Sequence, residues 1–478
     1  MKPEHIEEDS FRDHVSTMDS EGSRNWVYPR KPKGKYTNYR TYVSYVLLLI
    51  LFITPFLHLI IPSLKNQFFM LNIIDNKFSI FGFMFFTQDF FLFAIGMVTS
   101  LVFIILFTVV YGRIFCGWIC PQTIFMEMVF RKIEYAIEGD RNKQMKLDRQ
   151  EWDAEKTWKR ALKWSIFALI SFIIANIFLM YVIGTERVLK YITEGPLEHI
   201  ELFFGLLIFT GIFYFVFAWF REQACTMVCP YGRLQSVLID QDTIVVAYDY
   251  KRGEGTKGRA KFRKTVDRKA EGIGDCIDCN QCVVVCPTGI DIRNGTQLEC
   301  VNCTACMDAC DEVMEKVGFE TGLIRYASEF SIKNETKPRF TFRSKAYTVL
   351  LVMLTGLLTS LLFMRSSYEV KIFHQRGNTK AYETKGNLII NTYEFVVTNK
   401  TADSAQLKFK LVEPRGGINV MNDDDEIVEL IPQETIKGRF KASIRQSRLL
   451  GAKELKIEVY NKTTNELIDT KTVKYNKP

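Results

Sequence analysis

The chain alternates between long apolar stretches and polar segments. Five stretches are long enough to cross a bilayer, and they run over residues 42–61, 90–111, 164–183, 200–220 and 346–364. About 20 consecutive apolar residues, wound as a helix, span the hydrocarbon core of a membrane. Soluble cores rarely contain five such runs. The pattern therefore predicts five transmembrane helices, with Pro55 interrupting the first because proline has no backbone N–H.

The region after the fifth stretch has a different pattern. Over residues 366–478, apolar and polar residues alternate in short runs, for example Leu388–Ile390, Tyr393–Val397, Leu407–Leu411 and Leu455–Val459. Period-two runs separated by turns such as Arg415-Gly416-Gly417 are typical of half-buried strands. The region is predicted to be a small all-β sandwich. It contains no cysteine and only His374, so we expect it to dock onto a partner outside the membrane.

Basic residues predict the orientation of the five helices. The chain has a formal net charge of +8, and, among the segments before and between the five stretches, residues 1–41, 112–163 and 221–345 are the ones rich in Lys and Arg. The intervening loops, 62–89 and 184–199, hold only two basic residues each. Basic loops stay on the cytoplasmic side. We expect a multi-pass protein of the cell inner membrane, with a cytoplasmic N-terminus and a periplasmic C-terminus.

Two polar segments, residues 1–41 and the linker from Lys251 to Lys269, differ in their expected roles. Residues 1–41 contain no apolar stretch of the kind found in cleavable signals, so they are predicted to be a partly disordered cytoplasmic tail. The basic linker from Lys251 to Lys269 has no interleaved aromatic residue except Phe262. Membrane lipid, rather than nucleic acid, is therefore the expected partner of this linker.

Eight of the 12 cysteines form two matched runs. The first is Cys276-x2-Cys279-x2-Cys282-x3-Cys286-Pro287, and the second is Cys300-x2-Cys303-x2-Cys306-x3-Cys310. This is the bacterial spacing for two [4Fe–4S] clusters, in which the fourth cysteine of each run binds the other cluster. Zinc also uses C-x2-C pairs, but eight cysteines in two matched runs favour clusters. Because thiolate ligation suits a reducing compartment, the dicluster domain, residues 221–345, is expected in the cytoplasm.

The spacing assigns each cysteine to a cluster. The predicted ligands of the first cluster are Cys276, Cys279, Cys282 and Cys310. Those of the second cluster are Cys300, Cys303, Cys306 and Cys286. Asp311 stands where the second run would have its proline, which removes no ligand.

The other four cysteines repeat a C-x3-C-P motif after the second and fourth apolar stretches. They are Cys116, Cys120, Cys225 and Cys229. Two dithiol pairs at one membrane depth are expected to converge, with each proline ending its helix. Four soft thiolates suit Cu(I), zinc or an Fe–S cluster, and they could also form a reversible disulfide. We interpret them as a candidate catalytic copper or thiol redox site. Met227 could add a thioether ligand, although a Met at a helix end more often only packs. A structural metal, a third cluster and inert buried cysteines are the alternatives.

Histidines offer little support for haem. Axial haem ligands are usually histidines within spans, and the chain has only five histidines. His58 and His199 lie near the outer ends of the first and fourth apolar stretches. They are interpreted as hydrogen-bonded interfacial residues, and a contact with copper or quinol is the alternative.

Several motifs together resemble a known family. They are Cys229-Pro230-Tyr231-Gly232-Arg233-Leu234-Gln235, Gly274–Cys279, Cys286–Gly295 and Gly322–Ser328. The chain resembles, over residues 25–478, the CcoG (FixG/RdxA) family of accessory proteins of the cbb3-type cytochrome c oxidase. The resemblance implies a five-span α-helical membrane domain, an inserted ferredoxin-like 2[4Fe–4S] domain and an outer immunoglobulin-like domain. It also implies reduction of Cu(II) to Cu(I) for assembly of the oxidase copper centre, with all 12 cysteines matching the family's cysteine positions.

Three functions follow from these observations. The sequence favours a membrane-bound Fe–S cupric reductase, with two [4Fe–4S] clusters as cofactors and copper as the bound metal. A quinol dehydrogenase-like electron carrier is the second hypothesis, and a non-enzymatic assembly scaffold is the third. The expected partners are membrane lipid, oxidase assembly factors or a copper transporter or chaperone, and an unidentified cytoplasmic electron donor.

Overall fold

The computed structural model describes most of the chain. The described residues are 17, 23–61, 64, 66–73, 77–86, 89–263, 266–374, 382–401, 403–420, 427–432, 434–448, 454–462 and 464–475. The chain forms two compact units. The first comprises residues 1–54 with 94–357, and the second comprises residues 55–93 with 358–478.

Five helices have the length and composition to cross a membrane, as the apolar stretches predicted. Numbered as spans 1 to 5, they are Lys35–Ile60, Phe90–Tyr111, Ala154–Ile183, Ile200–Phe220 and Phe342–Phe363. Span 1 passes through a 3₁₀ turn at Thr54–Phe56, where Pro55 lacks the N–H that an α-helix needs. Span 4 ends in a π-helical turn at Val216–Phe220.

Three spans begin earlier than their apolar stretches. Span 3 starts at Ala154 because the carboxylate of Asp153 accepts a hydrogen bond from the backbone N–H of Lys156, which caps a polar first turn. The predicted loop 112–163 is therefore largely helical. Its other helices are Ile114–Trp118, Pro121–Thr123, the π-helix Ile124–Phe130, Arg131–Ile137 and Arg141–Arg149.

The cysteine runs of the first unit lie between two short paired strands. Strands β4 (Val245–Tyr248) and β5 (Ile324–Ala327) pair antiparallel, and they precede and follow both runs. Buried apolar residues of this region pack around Cys276 and Cys282. The remaining helical segments of the first unit are Thr185–Glu194, Ala224–Val228 (π), Pro230–Leu238, Tyr250–Glu254, Arg268–Glu271, Gln281–Val284, Ile292–Asn294 (3₁₀), Ala305–Val317 and Glu329–Asn334.

The predicted N-terminal tail is ordered where the structure describes it as a continuous segment. Within residues 23–34, the backbone N–H of Arg30 donates to the carbonyl of Val284 at 2.9 Å, and its guanidinium donates to Gln281 Oε1 at 2.9 Å. Span 1 then begins at Lys35, inside the predicted tail. Residues 1–16 and 18–22, where disorder was also expected, lie outside the described residues.

The second unit is a two-sheet β-sandwich, as the alternating pattern predicted. Its strands are β6 Tyr368–His374, β7 Glu383–Lys385, β8 Leu388–Asn399, β9 Ala405–Glu413, β10 Gly417–Val420, β11 Ile427–Leu430, β12 Thr435–Arg445, β13 Glu454–Asn461 and β14 Leu467–Lys474. One sheet has the order β10-β12-β8-β6, with β7 also paired to β8, and the other has the order β11-β9-β13-β14. Apolar side chains of alternate residues fill the space between the sheets.

The same unit includes part of the loop between spans 1 and 2, which the sequence pattern did not predict. Strands β1 (Phe69–Asn72), β2 (Lys77–Ile80) and β3 (Phe83–Phe85) form a small antiparallel sheet there. Asp89, which is buried, accepts hydrogen bonds from Lys400 Nζ at 2.5 Å and from Arg365 Nη2 at 2.8 Å. These ion pairs join the loop to the sandwich, so the unit is larger than the predicted domain 366–478.

Candidate iron–sulfur and thiol site

The structure sorts the eight cysteines of the two runs into two groups. The Cys310 thiol interacts electrostatically with Cys282, Cys276 and Cys279, all of which belong to the other run. The strongest thiol neighbours of Cys306 are Cys303, Cys300 and Cys286. The fourth cysteine of each run therefore lies with the first three of the other. These are the groups that the spacing predicted, and their assignment as cluster ligands stays a prediction.

The backbone of the two runs turns in the same way. Asp278 and Asn280 in the first run, and Asn302 and Thr304 in the second, have positive φ angles of 56°, 56°, 53° and 66°. In each run these are the residues immediately before and after the second cysteine. Asn and Asp tolerate this conformation better than other non-glycine residues, and it curls the chain around the thiols. This preference accounts for Asp278, Asn280 and Asn302, whereas the β-branched Thr304 adopts a conformation that is unfavourable for such residues.

Burial changes the acidity of the grouped thiols. It raises the pKa of Cys282 and Cys300 to about 12, and that of Cys303 to about 11. Thiol groups buried beside one another are costly to ionise unless a cation accompanies them. Two sets of four sulfur donors on tightly curled loops fit a [4Fe–4S] cluster each.

The remaining four cysteines form a third group. The Cys225 thiol interacts electrostatically with Cys120, Cys116 and Cys229, so the two C-x3-C-P motifs converge. Burial raises the pKa of Cys116 to about 11 and that of Cys225 to about 12. This donor set is the one that the repeated motif predicted, and its ligand stays a prediction.

The two C-x3-C-P motifs have similar backbone conformations. Gly112 and Arg221 directly follow spans 2 and 4, and both have positive φ angles, of 54° and 53°. Cys120 and Cys229 both have extended backbones, and each precedes a proline that starts a new helix. The prolines were expected to end helices. They occupy the first helical position instead, where the missing N–H costs nothing.

The first motif packs directly on the second cysteine run. A side chain at Gly117 would collide with the backbone carbonyl of Val301 and would lie 2.9 Å from that of Asn302. Cys116 also packs against a buried cluster that includes Cys303. Arg40 Nε of span 1 donates to the Gly117 carbonyl at 2.7 Å. The thiol site and the second predicted cluster site are therefore neighbours across one layer of backbone.

Two polar residues of this site were missed from the sequence. Arg113 donates from Nε to Gln235 Oε1 and from Nη2 to the Gly232 carbonyl, both at 2.6 Å. Gln235 Oε1 also accepts a hydrogen bond from Cys116 Sγ at 3.5 Å. The Arg113 charge opposes the effect of burial on the pKa of Cys116 and Cys300. In the sequence, the motif from Cys229 to Gln235 was the available signal for Gln235, the residue that contacts the Cys116 thiol.

The remaining candidates lie outside this centre. Met227 is half-buried on the π-helical turn Ala224–Val228 that carries Cys225. His199 Nε2 is 2.8 Å from Glu194 Oε2, and its ring contacts Tyr191, as expected for an interfacial histidine. His58 belongs to the second unit, and its buried Nδ1 has no hydrogen-bond partner among the described residues.

Comparison with known proteins decides the family. The chain is 35% identical over 399 residues to Protein RdxA of Cereibacter sphaeroides, covering 80% of this chain and 82% of RdxA. Protein RdxB of the same organism is 33% identical over 391 residues, covering 80% of each chain. The chain belongs to the FixG/RdxA family. Nitrogen fixation protein FixG of Rhizobium meliloti is 35% identical over 309 residues, and the chain spans 57% of that relative's length.

Three family models match separate parts of this FixG/RdxA protein. A 4Fe-4S dicluster domain matches residues 220–329, and a 4Fe-4S binding domain matches residues 93–138. The IG-like fold at the C-terminus of FixG matches residues 358–478. The protein is therefore a membrane iron–sulfur protein with a C-terminal immunoglobulin-like domain. Of the 12 cysteines, the second match contains only Cys116 and Cys120.

Proposed function

We propose that this FixG/RdxA-family protein reduces Cu(II) to Cu(I) at the thiol site and so supports assembly of a cbb3-type cytochrome c oxidase. The observation that supports this is the convergence of Cys116, Cys120, Cys225 and Cys229 directly against the second cysteine run. Thiolates are soft ligands that select Cu(I). A site made of four such groups stabilises the product of the reduction.

The electron count fits this assignment. Each Cu(II) takes one electron, and one-electron transfer is the chemistry that a [4Fe–4S] cluster supplies when bound beside the site. Because Gly117 is in close contact with Val301, little protein separates the thiol site from the second cysteine run. Because burial raises the pKa of Cys116 and Cys225, these thiols release protons when copper binds.

The distribution of basic residues supports the proposed topology. The dicluster region and the N-terminus are placed in the cytoplasm, and the immunoglobulin-like domain is placed in the periplasm. The proposed partners are oxidase assembly factors or a copper transporter or chaperone. The immunoglobulin-like domain supports this part of the proposal, because a simple electron carrier has no evident use for it.

An anaerobic assay tests the proposal. The purified protein is reduced with dithionite, desalted and mixed with Cu(II), and Cu(I) is trapped with a chromogenic chelator while the cluster absorbance is followed. We expect rapid Cu(I) formation that falls at least about tenfold in Cys116→Ser and Cys225→Ser, since each removes one soft ligand. Val228→Ser is the matched control, because it places the same hydroxyl on the same turn at an exposed position.

The other outcomes separate the hypotheses. Fast reduction that is unchanged in both cysteine variants would place copper elsewhere on the protein. No Cu(I), with an added quinone reoxidising the protein instead, would favour a quinol-linked carrier. No turnover with any acceptor would favour a non-enzymatic scaffold.

A further inference from the structure

An apolar cavity of about 530 Å³ lies beside the thiol site. Side chains of spans 1, 3 and 4 form most of its wall, and the π-helix Ile124–Phe130 contributes its first two residues. The wall is completed by Ile119, Pro121 and Gln122. Cys120 stands between the first two of these three residues in the chain. The volume is that of a pocket for a small organic ligand. A ligand in this cavity would therefore lie next to the chain segment that carries Cys120.

The wall of the cavity is rich in aromatic rings and has few polar groups. Phe125 of the π-helix contacts Phe213 and Phe217 of span 4, with ring centroids 5.6 and 5.7 Å apart. Tyr181 donates its hydroxyl hydrogen to the carbonyl of Leu51 at 2.8 Å, so that group is already engaged. Gln122 supplies an amide at the boundary of the cavity. This combination suits a flat ring with a hydrogen-bonding oxygen.

Gln122 also lines a second, small polar cavity. Its amide donates to the backbone carbonyl of Arg221 at 3.4 Å, and Glu127, Glu222 and Cys225 share the wall. The buried Glu222 carboxylate is paired with arginines, because its Oε2 atom is 3.6 Å from Arg131 Nη2 and 3.9 Å from Arg221 Nε. Gln122 therefore joins the apolar cavity to a charged, polar region that includes Cys225.

We propose that the apolar cavity binds a membrane quinol, which is the electron donor for copper reduction. The inference rests on the proposed cupric reduction. In the balanced step, one quinol and two Cu(II) give one quinone, two Cu(I) and two protons. The quinol loses its two O–H hydrogens as protons and its two electrons to copper. A phospholipid chain would fill the apolar part, but its hydrocarbon groups cannot form a hydrogen bond with the amide of Gln122.

Binding is tested on the full-length protein in nanodiscs with an azido-quinone photolabel, with decylubiquinol as competitor. The label is expected within residues 119–125 or 209–217, which supply part of the wall. Ile212 and Ile208 provide a matched pair, since both lie on span 4 and are 58% and 62% exposed, while only Ile212 lines the cavity. Both positions have room for a larger side chain.

Tryptophan at position 212 should narrow the cavity. For Ile212→Trp we expect labelling to fall and the KM for decylubiquinol to rise about tenfold or more, as for an overfilled apolar site. Dithionite-driven Cu(I) formation should be unchanged. Ile208→Trp should match the parent protein in all three measurements. Rates are compared after subtracting the protein-free reaction of decylubiquinol with Cu(II), and cluster absorbance confirms that both variants fold.

The possible failures are distinguishable. Dithionite-driven Cu(I) formation without quinone labelling or quinol oxidation would overturn the quinol site and leave cupric reduction standing. Specific labelling and quinol oxidation, with no Cu(I) from any donor, would overturn cupric reduction instead. Labelling that spreads over the lipid-facing helices, or that is equal in the two isoleucine variants, would mean that lipid fills this cavity and would also overturn the inference.

Discussion

The two kinds of thiol group in this protein are assembled by different means. The eight cysteines from Cys276 to Cys310 lie within one short segment, and their grouping follows from local spacing and from curled backbone turns. In the chain, spans 3 and 4 separate the two C-x3-C-P motifs, so the four cysteines of these motifs meet only through the packing of the spans. Local spacing predicts the first arrangement, whereas the second depends on the tertiary structure. Substitutions in each group of thiols test whether the two arrangements are independent.

The largest expected effect is loss of a cluster. Cys279→Ser and Cys310→Ser should each remove about half of the iron and the same electron paramagnetic resonance signal, because their thiols share one group. Cys286→Ser should remove the other signal. Iron analysis and spectra of the reduced protein measure both. Cys116→Ser should keep all the iron, and a loss of iron in that variant would indicate a third cluster instead of a copper site.

The affinity of the thiol site for Cu(I) should depend strongly on pH. Burial raises the pKa of Cys116 to about 11 and of Cys225 to about 12, so both are protonated in the metal-free protein at neutral pH. Copper binds the thiolate and displaces the proton. For each proton displaced, the Kd should therefore fall about tenfold for every unit by which the pH rises, as long as the pH is below these pKa values. Chelator competition from pH 6 to about 9 measures this. A Kd that does not change with pH would mean that no thiol loses a proton on binding.

A smaller effect is expected from the contact between the two groups. Gly117→Ala should destabilise the protein by about 1–3 kcal/mol, because the new methyl group would overlap the Val301 carbonyl. It should also slow Cu(I) formation by displacing the first motif from the second run. Gly211→Ala in span 4 is the control, since a side chain there meets open space. Equal melting temperatures and equal copper kinetics for the two variants would show that the contact does not matter.

The smallest effect concerns the link between the second run and span 1. The Asp308 carboxylate accepts hydrogen bonds from the backbone N–H groups of Tyr36 and Thr37, at 3.1 and 2.7 Å, and so caps this helix from another part of the chain. Asp308→Ala should cost about 1 kcal/mol and speed hydrogen exchange at these two amides. Glu312→Ala, at an exposed position on the same helix as Asp308, should leave that exchange unchanged. Unchanged exchange in Asp308→Ala would contradict the capping role.

The sequence was most informative where one local rule decides the structure. The apolar stretches predicted the five spans, the period-two runs predicted the sandwich, and the cysteine spacing predicted which thiols meet. Tertiary contacts explain what was missed. The β1–β3 sheet is held to the sandwich by ion pairs of Asp89 with residues far along the chain. Arg113 and Gln235 resemble ordinary polar residues until folding places them against Cys116.

The backbone at the thiol site also escaped local rules. The proline after Cys229 was expected to end a helix. In the structure, Cys225 lies on a π-helical turn, and Cys229 precedes Pro230, which is the first residue of the next helix. Arg221 has a positive φ angle that is unfavourable for a residue with a side chain. Its buried guanidinium donates to both carboxylate oxygens of Glu134, which helps to hold this conformation.

The most direct test of the account is X-ray absorption at the copper edge of the reduced, anaerobic protein loaded with one equivalent of copper. The central claim is that the two C-x3-C-P motifs form one copper site. It predicts a Cu(I) edge with a first shell of sulfur only, and this shell should lose sulfur in both Cys116→Ser and Cys225→Ser. A shell of nitrogen and oxygen, or a sulfur shell that neither variant changes, would contradict the claim.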